Sequence, residues 1–231
     1  MNLPRVVAIM PALNEEAAIG NVLRSLPATL LHAVVVVDNG STDATAAIAA
    51  HHGATVVHEP ERGYGAACLR GIAEAERQGA DVIVFLDADG ADDPADIAAV
   101  LQPVLDGTAD MVIGSRLAGS RQRGSLTPPQ VFGNWLATTL IRLLWNVRFT
   151  DLGPLRAIRA QTLNAMDMQD RNFGWTVEMQ IKAAKMRTRC CEVPVHYRRR
   201  IGTSKISGTV RGTVMAGSII LSTIARYALR R

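Results

Sequence analysis

Five short apolar runs, rich in β-branched residues, mark the first half of the chain at residues 6–10, 33–37, 54–58, 82–86 and 111–113. Few polar residues interrupt them, which is the pattern of strands covered on both faces. Between them, residues 15–26, 43–52, 64–78 and 94–105 carry apolar side chains at helical spacing, and Pro94 suits a first helical turn. The alternation predicts an α/β fold: a doubly wound, mostly parallel sheet whose ligands sit at the carboxyl ends of the strands. In that winding the fifth strand is expected beside the fourth. The chemically interesting residues fall where the strands end, at Asn14-Glu15, Asp38-Asn39-Gly40-Ser41, Asp87-Ala88-Asp89-Gly90 and Gly114-Ser115-Arg116.

After Arg116 the alternation stops. Residues 118–130 form a basic, Gly/Pro-bearing stretch that reads as a loop. Residues 132–147 follow with Phe132, Trp135, Leu136, Leu140, Leu143 and Leu144 on overlapping helical faces, no acidic residue, and Arg142 and Arg148 nearby. Two readings fit, a core-packing helix or one lying on a membrane surface. Residues 209–229 form a second such helix. Its longest uncharged part, residues 212–225, is 14 residues long, short of the roughly 20 that span a bilayer. It is expected to lie on a membrane or pack internally.

With 231 residues, 48% apolar and 20% charged, the chain suits one globular domain and argues against disorder. Aromatics at 4% and the absence of a repeat disfavour solenoids and base-stacking nucleic-acid binders. Cys68, Cys190 and Cys191 include no CxxC, so neither a zinc site nor a disulfide scaffold is indicated. Residues 1–10 lack the features of a secretory signal, and a cytoplasmic location is expected. Charge divides the chain: residues 1–110 hold 5 Lys/Arg against 16 Asp/Glu, net −11, while residues 111–231 hold 20 against 5, net +15. Nucleic acid, anionic lipid or a phosphorylated substrate would each suit a basic half, and charge alone does not choose.

Asp87-x-Asp89 closes an apolar strand. Two such carboxylates repel unless a hard cation joins them, and Mg²⁺ or Mn²⁺ bridging to a diphosphate is the usual solution; a turn with solvated acids is the plain alternative. Asp38-Asn39-Gly40-Ser41-Thr42-Asp43 supplies a tight turn and helix cap, with the Asp38 carboxylate left to accept from a base or ribose. Arg62-Gly63-Tyr64-Gly65 is too short for a dinucleotide fingerprint and suits a close backbone approach to ligand or sheet. Arg199-x-x-Gly202-x-Ser204-Lys205 reads either as a solvated basic loop or as one that closes over a diphosphate and stabilises leaving-group charge.

Taken with Pro11-Ala12-Leu13-Asn14-Glu15-Glu16, Gly133-Asn134 and Asp151-x-Gly153, these blocks resemble, in order, glycosyltransferase family 2, and within it the polyprenyl-phosphate and dolichyl-phosphate mannose and glucose synthases. The resemblance implies a GT-A fold in one domain, with residues 1–116 binding the nucleotide sugar and 117–231 facing acceptor and membrane. It implies a donor site of Pro11, Leu13, Glu15, Asp38, Asp87, Ala88 and Asp89, with Asp87 and Asp89 holding Mg²⁺ or Mn²⁺. Arg199 and Lys205 would close on the donor, and Arg116 with Arg123 would meet the acceptor phosphate. Asp89, Arg116, Arg199 and Lys205 would carry catalysis. Two departures stand out: relatives often have Gln where this chain has Ala91, for which Asp92 or water would substitute, and the usual paired acids of the second block are Asp38-Asn39.

The expected reaction moves a hexose from UDP-glucose or GDP-mannose to a polyprenyl phosphate, at the cytoplasmic face of a membrane held peripherally. The acceptor is already ionised near neutral pH, so no base is required and the work is alignment and charge neutralisation. An alcohol acceptor would need a base, for which Glu178 is the candidate. A non-catalytic nucleotide-sugar binder is the competing class; donor hydrolysis separates the two. A haloacid-dehalogenase-type phosphatase fits less well, because its DxDG motif lies nearer the N-terminus and continues with Thr or Val, and a sugar nucleotidyltransferase would need a basic Gly-rich loop after the first strand.

Overall fold

The computed structural model describes residues 4–202 and 210–229. Its single sheet holds β1 (Val6–Ala12), β2 (Ala33–Asp38), β3 (Thr55–His58), β4 (Val82–Phe85), β5 (Met111–Ser115), β6 (Arg156–Arg159) and β7 (Cys190–Pro194), in the order β3-β2-β1-β4-β6-β5-β7. The helices are α1 (Ile19–Ser25), α2 (Thr45–His51), α3 (Tyr64–Arg77), α4 (Ile97–Leu105), α5 (Pro128–Trp145), α6 (Ala160–Met166), α7 (Trp175–Lys185) and α8 (Val210–Leu229).

Both sheet faces are buried. Val7, Ile9, Val35, Val37, Ile83 and Phe85 point to the layer of α3, α5, α6, α7 and α8. The alternate residues Val6, Ala8, Met10, Val36, Val82 and Val84 meet α1, α2 and α4. This two-sided burial explains the uninterrupted apolar runs. The order reverses between β1 and β4, and the loops leaving these two strands therefore flank the switch-point crevice.

The sheet departs from the expected order at one place. β6 runs antiparallel between β4 and β5, with Phe85 and Ile113 both opposite Arg156, so the fifth strand is not beside the fourth. Several boundaries also move. β1 extends to Ala12 because Pro11 and Ala12 pair with Val37 and Asp38, beyond the point where β4 ends. α1 starts at Ile19, since residues 14–18 are tied into a turn. A 3₁₀ turn at Pro94–Asp96 precedes α4. α5 begins at Pro128, inside the expected loop, under a capping box in which the Thr127 hydroxyl and Gln130 exchange hydrogen bonds with each other's backbone N–H.

Candidate active site

The loops after β1 and β2 hold each other. Asn14 N–H donates to Ser41 Oγ (2.9 Å), Glu15 N–H to Thr45 Oγ1 (2.8 Å), Thr42 N–H to Asn14 Oδ1 (2.8 Å) and Ala44 N–H to Glu16 Oε2 (3.0 Å). Asn14 adopts a left-handed backbone (φ 53°) to make this turn. The result presents Pro11, Leu13 and Glu15 to a cavity of about 390 Å³, opposite Gly63, Tyr64 and Ala67 at the start of α3. Asp87, Ala88 and Asp89 form its inner end.

Asp38 is not among the lining residues. Its carboxylate accepts from Ser41 N–H (3.0 Å) and lies 3.1 Å from His58 Nδ1, while Asn39 takes the lining position. Asn39 is spent on backbone: it donates to the carbonyls of Glu59 and Glu61 and accepts from Gly63 N–H. The glycines of the third block serve the neighbouring loop at 170–172. A Cβ on Gly63 would lie 2.1 Å from the Arg171 carbonyl oxygen, and one on Gly65 2.0 Å from that of Asp170.

A second cavity, of about 290 Å³, adjoins the first. Tyr64, Asp87, Asp89, Phe173 and Arg200 line both. Arg116 and Tyr197 line the second at its polar end, and Gly133, Asn134, Ala216, Gly217 and Ile220 from α5 and α8 wall its other side. Arg116 is mostly committed. Its Nε and Nη2 donate to the buried Asp151 carboxylate at 2.8 and 2.7 Å, its backbone N–H adds a third bond at 2.7 Å, and its guanidinium lies 5.0 Å from the centre of the Tyr197 ring. Burial by itself lowers the Arg116 pKa, but the Asp151 hydrogen bonds outweigh it and hold the group charged. Asp151 is anchored in turn: the Glu192 carboxylate accepts from Thr150 and Asp151 N–H, Gln180 donates to the Asp151 carbonyl, and Asn134 bonds Thr150 O and Leu152 N–H.

The carboxylates after β4 are crowded. Burial and the adjacent Asp89 carboxylate push Asp87 up to about 7, although Tyr64 Oη donates to it at 3.2 Å. Burial, then Asp87 and Asp89, raise Asp92 well above the usual carboxylate range. Asp92 Oδ2 accepts from Asp87 N–H (3.2 Å), and its buried Oδ1 has no hydrogen-bond partner among the described residues. This acid excess, with hard oxygen donors and an orphaned carboxyl oxygen beside it, fits a divalent cation. Among the described residues no three His, Cys, Asp or Glu side chains converge as a metal-ligand set. Asp87 and Asp89 would therefore share the ion with substrate and water oxygens.

The basic groups near the donor cavity differ from those expected. Arg200 Nη2 lies 2.9 Å from Glu15 Oε1 and 3.3 Å from Asp89 Oδ2. Arg199 points elsewhere, donating through Nε to the Arg123 carbonyl (2.8 Å). Along the strap of residues 196–200, Arg198, bonded to Asp93, and Arg200, bonded to Glu15, turn to the acidic loops, while Arg199 turns to Arg123. Arg123 lines neither cavity, its side chain being exposed. Lys205 and Ser204 lie outside the described residues. Glu178 lines neither cavity: its carboxylate accepts from Tyr227 Oη (2.5 Å) and from Asp170 N–H (2.7 Å) and pairs with Lys182 at 3.1 Å. It holds α8 and the 168–171 loop in place, which leaves an alcohol acceptor without its candidate base.

Comparison with known proteins agrees with this geometry. The Glycosyl transferase family 2 model matches residues 7–166. An uncharacterized glycosyltransferase of Mycobacterium tuberculosis is 36% identical over 214 residues, 91% of this chain and 94% of that protein. An undecaprenyl-phosphate mannosyltransferase of Micrococcus luteus is 31% identical over 242 residues, 96% of each. Among solved structures, glucosyl-3-phosphoglycerate synthase of Mycobacterium tuberculosis, in complex with Mn²⁺, UDP-glucose and phosphoglyceric acid, superposes with a TM-score of 0.77 at 21% identity, covering 97% of this chain and 80% of that one. The fold is GT-A, as the sequence implied.

Proposed function

Since the chain belongs to glycosyl transferase family 2, we propose that it transfers a hexose from a nucleotide sugar, UDP-glucose or GDP-mannose, to a polyprenyl phosphate. The observation that carries this reading is the pair of cavities meeting at Asp87 and Asp89, the second of them walled by α5 and α8. The outer faces of those two helices expose Phe132, Trp135, Leu143, Val214 and Leu221. An apolar surface at the mouth of a cavity with a guanidinium at its polar end suits an acceptor that is a phosphate on a lipid.

In this reading an acceptor phosphate oxygen attacks the anomeric carbon as the bond to the departing diphosphate breaks, with inversion. The Arg116 edge left beside the Asp151 pair faces the acceptor phosphate and offsets its repulsion from the donor. Arg200 leaves Glu15 and Asp89 for the incoming diphosphate. Asp87 and Asp89 would hold a divalent ion, Mg²⁺ or Mn²⁺, which would supply positive charge to the leaving group. Most of the donor side comes from residues 11–89, with Asn172, Phe173 and Arg200 reaching it from the second half, so the two sides do not divide at residue 116; the protein rests peripherally on the cytoplasmic face of a membrane. Among the described residues no helix is long and apolar enough to cross one.

A donor panel scored by radiolabelled transfer into a polyprenyl-phosphate extract, with and without divalent metal, tests this. Label in the lipid phase that depends on both metal and polyprenyl phosphate is expected. Transfer only to water or to soluble phosphates would refute the lipid acceptor.

A further inference from the structure

The two cavities share a short border, and a group handed from one to the other crosses it. Of the five residues on that border, Asp87, Asp89 and Arg200 are charged, and Tyr64 spends its hydroxyl on Asp87. Phe173 is the fifth, a half-buried aromatic ring with no polar atom. Next to it in sequence, Asn172 lines the donor cavity. Only the Asn172 backbone is engaged: its N–H donates to Asp170 Oδ1 (2.8 Å) and its carbonyl accepts from Gly65 N–H (3.2 Å). The side-chain amide, with two donors and an acceptor, makes no hydrogen bond among the described residues.

The segment that carries the pair is fixed from three sides. Glu178 accepts from Gln169 N–H (3.2 Å) and Asp170 N–H (2.7 Å), Ala66 N–H donates to the Arg171 carbonyl (2.9 Å), and Arg171 Nε pairs with Glu61 at 2.7 Å. The close approach permitted by Gly63 and Gly65 locks it against α3. A ring face on the border that Asp87 and Asp89 also line, and a free amide inside the donor cavity, are thus presented in one geometry. A pyranose offers C–H groups on one face and hydroxyls at its rim, which are the features that such a ring and amide distinguish.

We propose that Asn172 and Phe173 select the sugar of the donor, Asn172 by hydrogen bonding to a ring hydroxyl and Phe173 by packing on the C–H face. The inference rests on the glycosyl-transfer reading but not on the identity of the acceptor. Its test is therefore donor binding, measured by calorimetry with Mn²⁺ on the full chain, with UDP-glucose, UDP-galactose, GDP-mannose and GDP-glucose as probes and UDP and GDP as sugar-free controls. Asn172→Ala is expected to narrow the preference between the epimers of the better-bound nucleotide by about three- to tenfold, the span of one net hydrogen bond. Phe173→Leu is expected to weaken both epimers alike by a similar factor, and neither variant should change affinity for the free nucleoside diphosphate. An unchanged epimer ratio in Asn172→Ala, or equal losses for sugar nucleotide and free diphosphate, overturns the assignment. Binding of no nucleotide sugar by the unmodified chain overturns the transferase reading as well, so the two failures are distinguishable.

Discussion

Arg116→Ala tests how the acceptor end of the site is built. Asp151 is fully buried, and it accepts three hydrogen bonds from Arg116, at 2.7 to 2.8 Å. Removing the guanidinium leaves the buried carboxylate with only the backbone N–H of residue 116 and whatever water enters from the second cavity, which Arg116 lines. Breaking one side of a buried pair costs about 3–5 kcal/mol. For a chain of this size each kcal/mol moves the melting temperature by about 2–4 °C, so the variant should melt roughly 6–20 °C lower. Lysine keeps the charge but not the fork, and Arg116→Lys should recover about half of the loss. Adding Asp151→Asn to Arg116→Ala removes the stranded charge, and the pair should show a coupling energy of about 2–3 kcal/mol in a double-mutant cycle read by chemical denaturation. At a temperature where Arg116→Ala is folded, transfer should fall at least about tenfold with donor affinity held, since a charge-assisted contact of about 1.5–3 kcal/mol is lost. A melting shift below about 2 °C, or strict additivity, would refute the buried-pair argument. Equal losses of donor binding and transfer would move Arg116 to the donor side.

Three shorter expectations follow from the same geometry. Asp89→Ala should abolish the divalent dependence of donor binding while the circular dichroism spectrum is unchanged; unaltered affinity for donor plus Mn²⁺ would count against the metal assignment. Gly65→Ala would place a Cβ 2.0 Å from the Asp170 carbonyl oxygen and should lower stability by about 1–3 kcal/mol or more, whereas Gly133→Ala, whose Cβ meets open space in α5, should be neutral or stabilising by up to about 1 kcal/mol; denaturation midpoints that do not separate the two would contradict the packing. The protein should co-sediment with anionic liposomes at low salt, less so in roughly 1 M salt where charges are screened, and Trp135→Asp should weaken the attachment; absence from the pellet at low salt would favour a soluble acceptor.

The first half of the fold was legible because its central strands, β1 and β4, are buried on both faces and carry nothing polar. The second half was not, because burial there is shared with charge. β6 opens on Arg156, which is 1% exposed and donates to the carbonyls of Leu152 and Gly153. α7 buries Glu178 and Gln180 completely, which breaks the apolar period by which a helix is recognised. Among candidate site residues, Glu15, Asp87 and Asp89 stand where visible strand ends place them, Pro11 and Leu13 were named through the family resemblance, and all five line the first cavity. Arg200 was missed for a local reason: three adjacent arginines at 198–200 read alike until the fold turns them to different partners. Asn172 and Phe173 carry no motif, and their one signal in the sequence is indirect, the glycines at 63 and 65 that make room for their loop.

The charge division between the halves also acquires a structural meaning. Part of its basic side is bonded to the acidic side. His196 pairs with Asp96 at 2.9 Å, Arg198 with Asp93, and Arg200 with Glu15 and Asp89. Further out, Arg171 meets Glu61, and Arg159 and Arg189 share Asp110. The 196–200 strap therefore crosses the acidic loop that follows β4 and pairs with three of its carboxylates, Asp89, Asp93 and Asp96, with Arg198 and Ile201 N–H also donating to the Ala91 and Asp89 carbonyls. The arrangement has a consequence for binding. A divalent ion at Asp89 would compete with the Arg200 guanidinium already in place, and a diphosphate would compete with Glu15 and Asp89 for that guanidinium, so the net gain on binding would be an exchange of partners for Arg200, from carboxylate to phosphate, with an electrostatic part smaller than the bare charges suggest. Such an exchange keeps the acid cluster tolerable before substrate arrives and delivers a cation to the leaving group when it does.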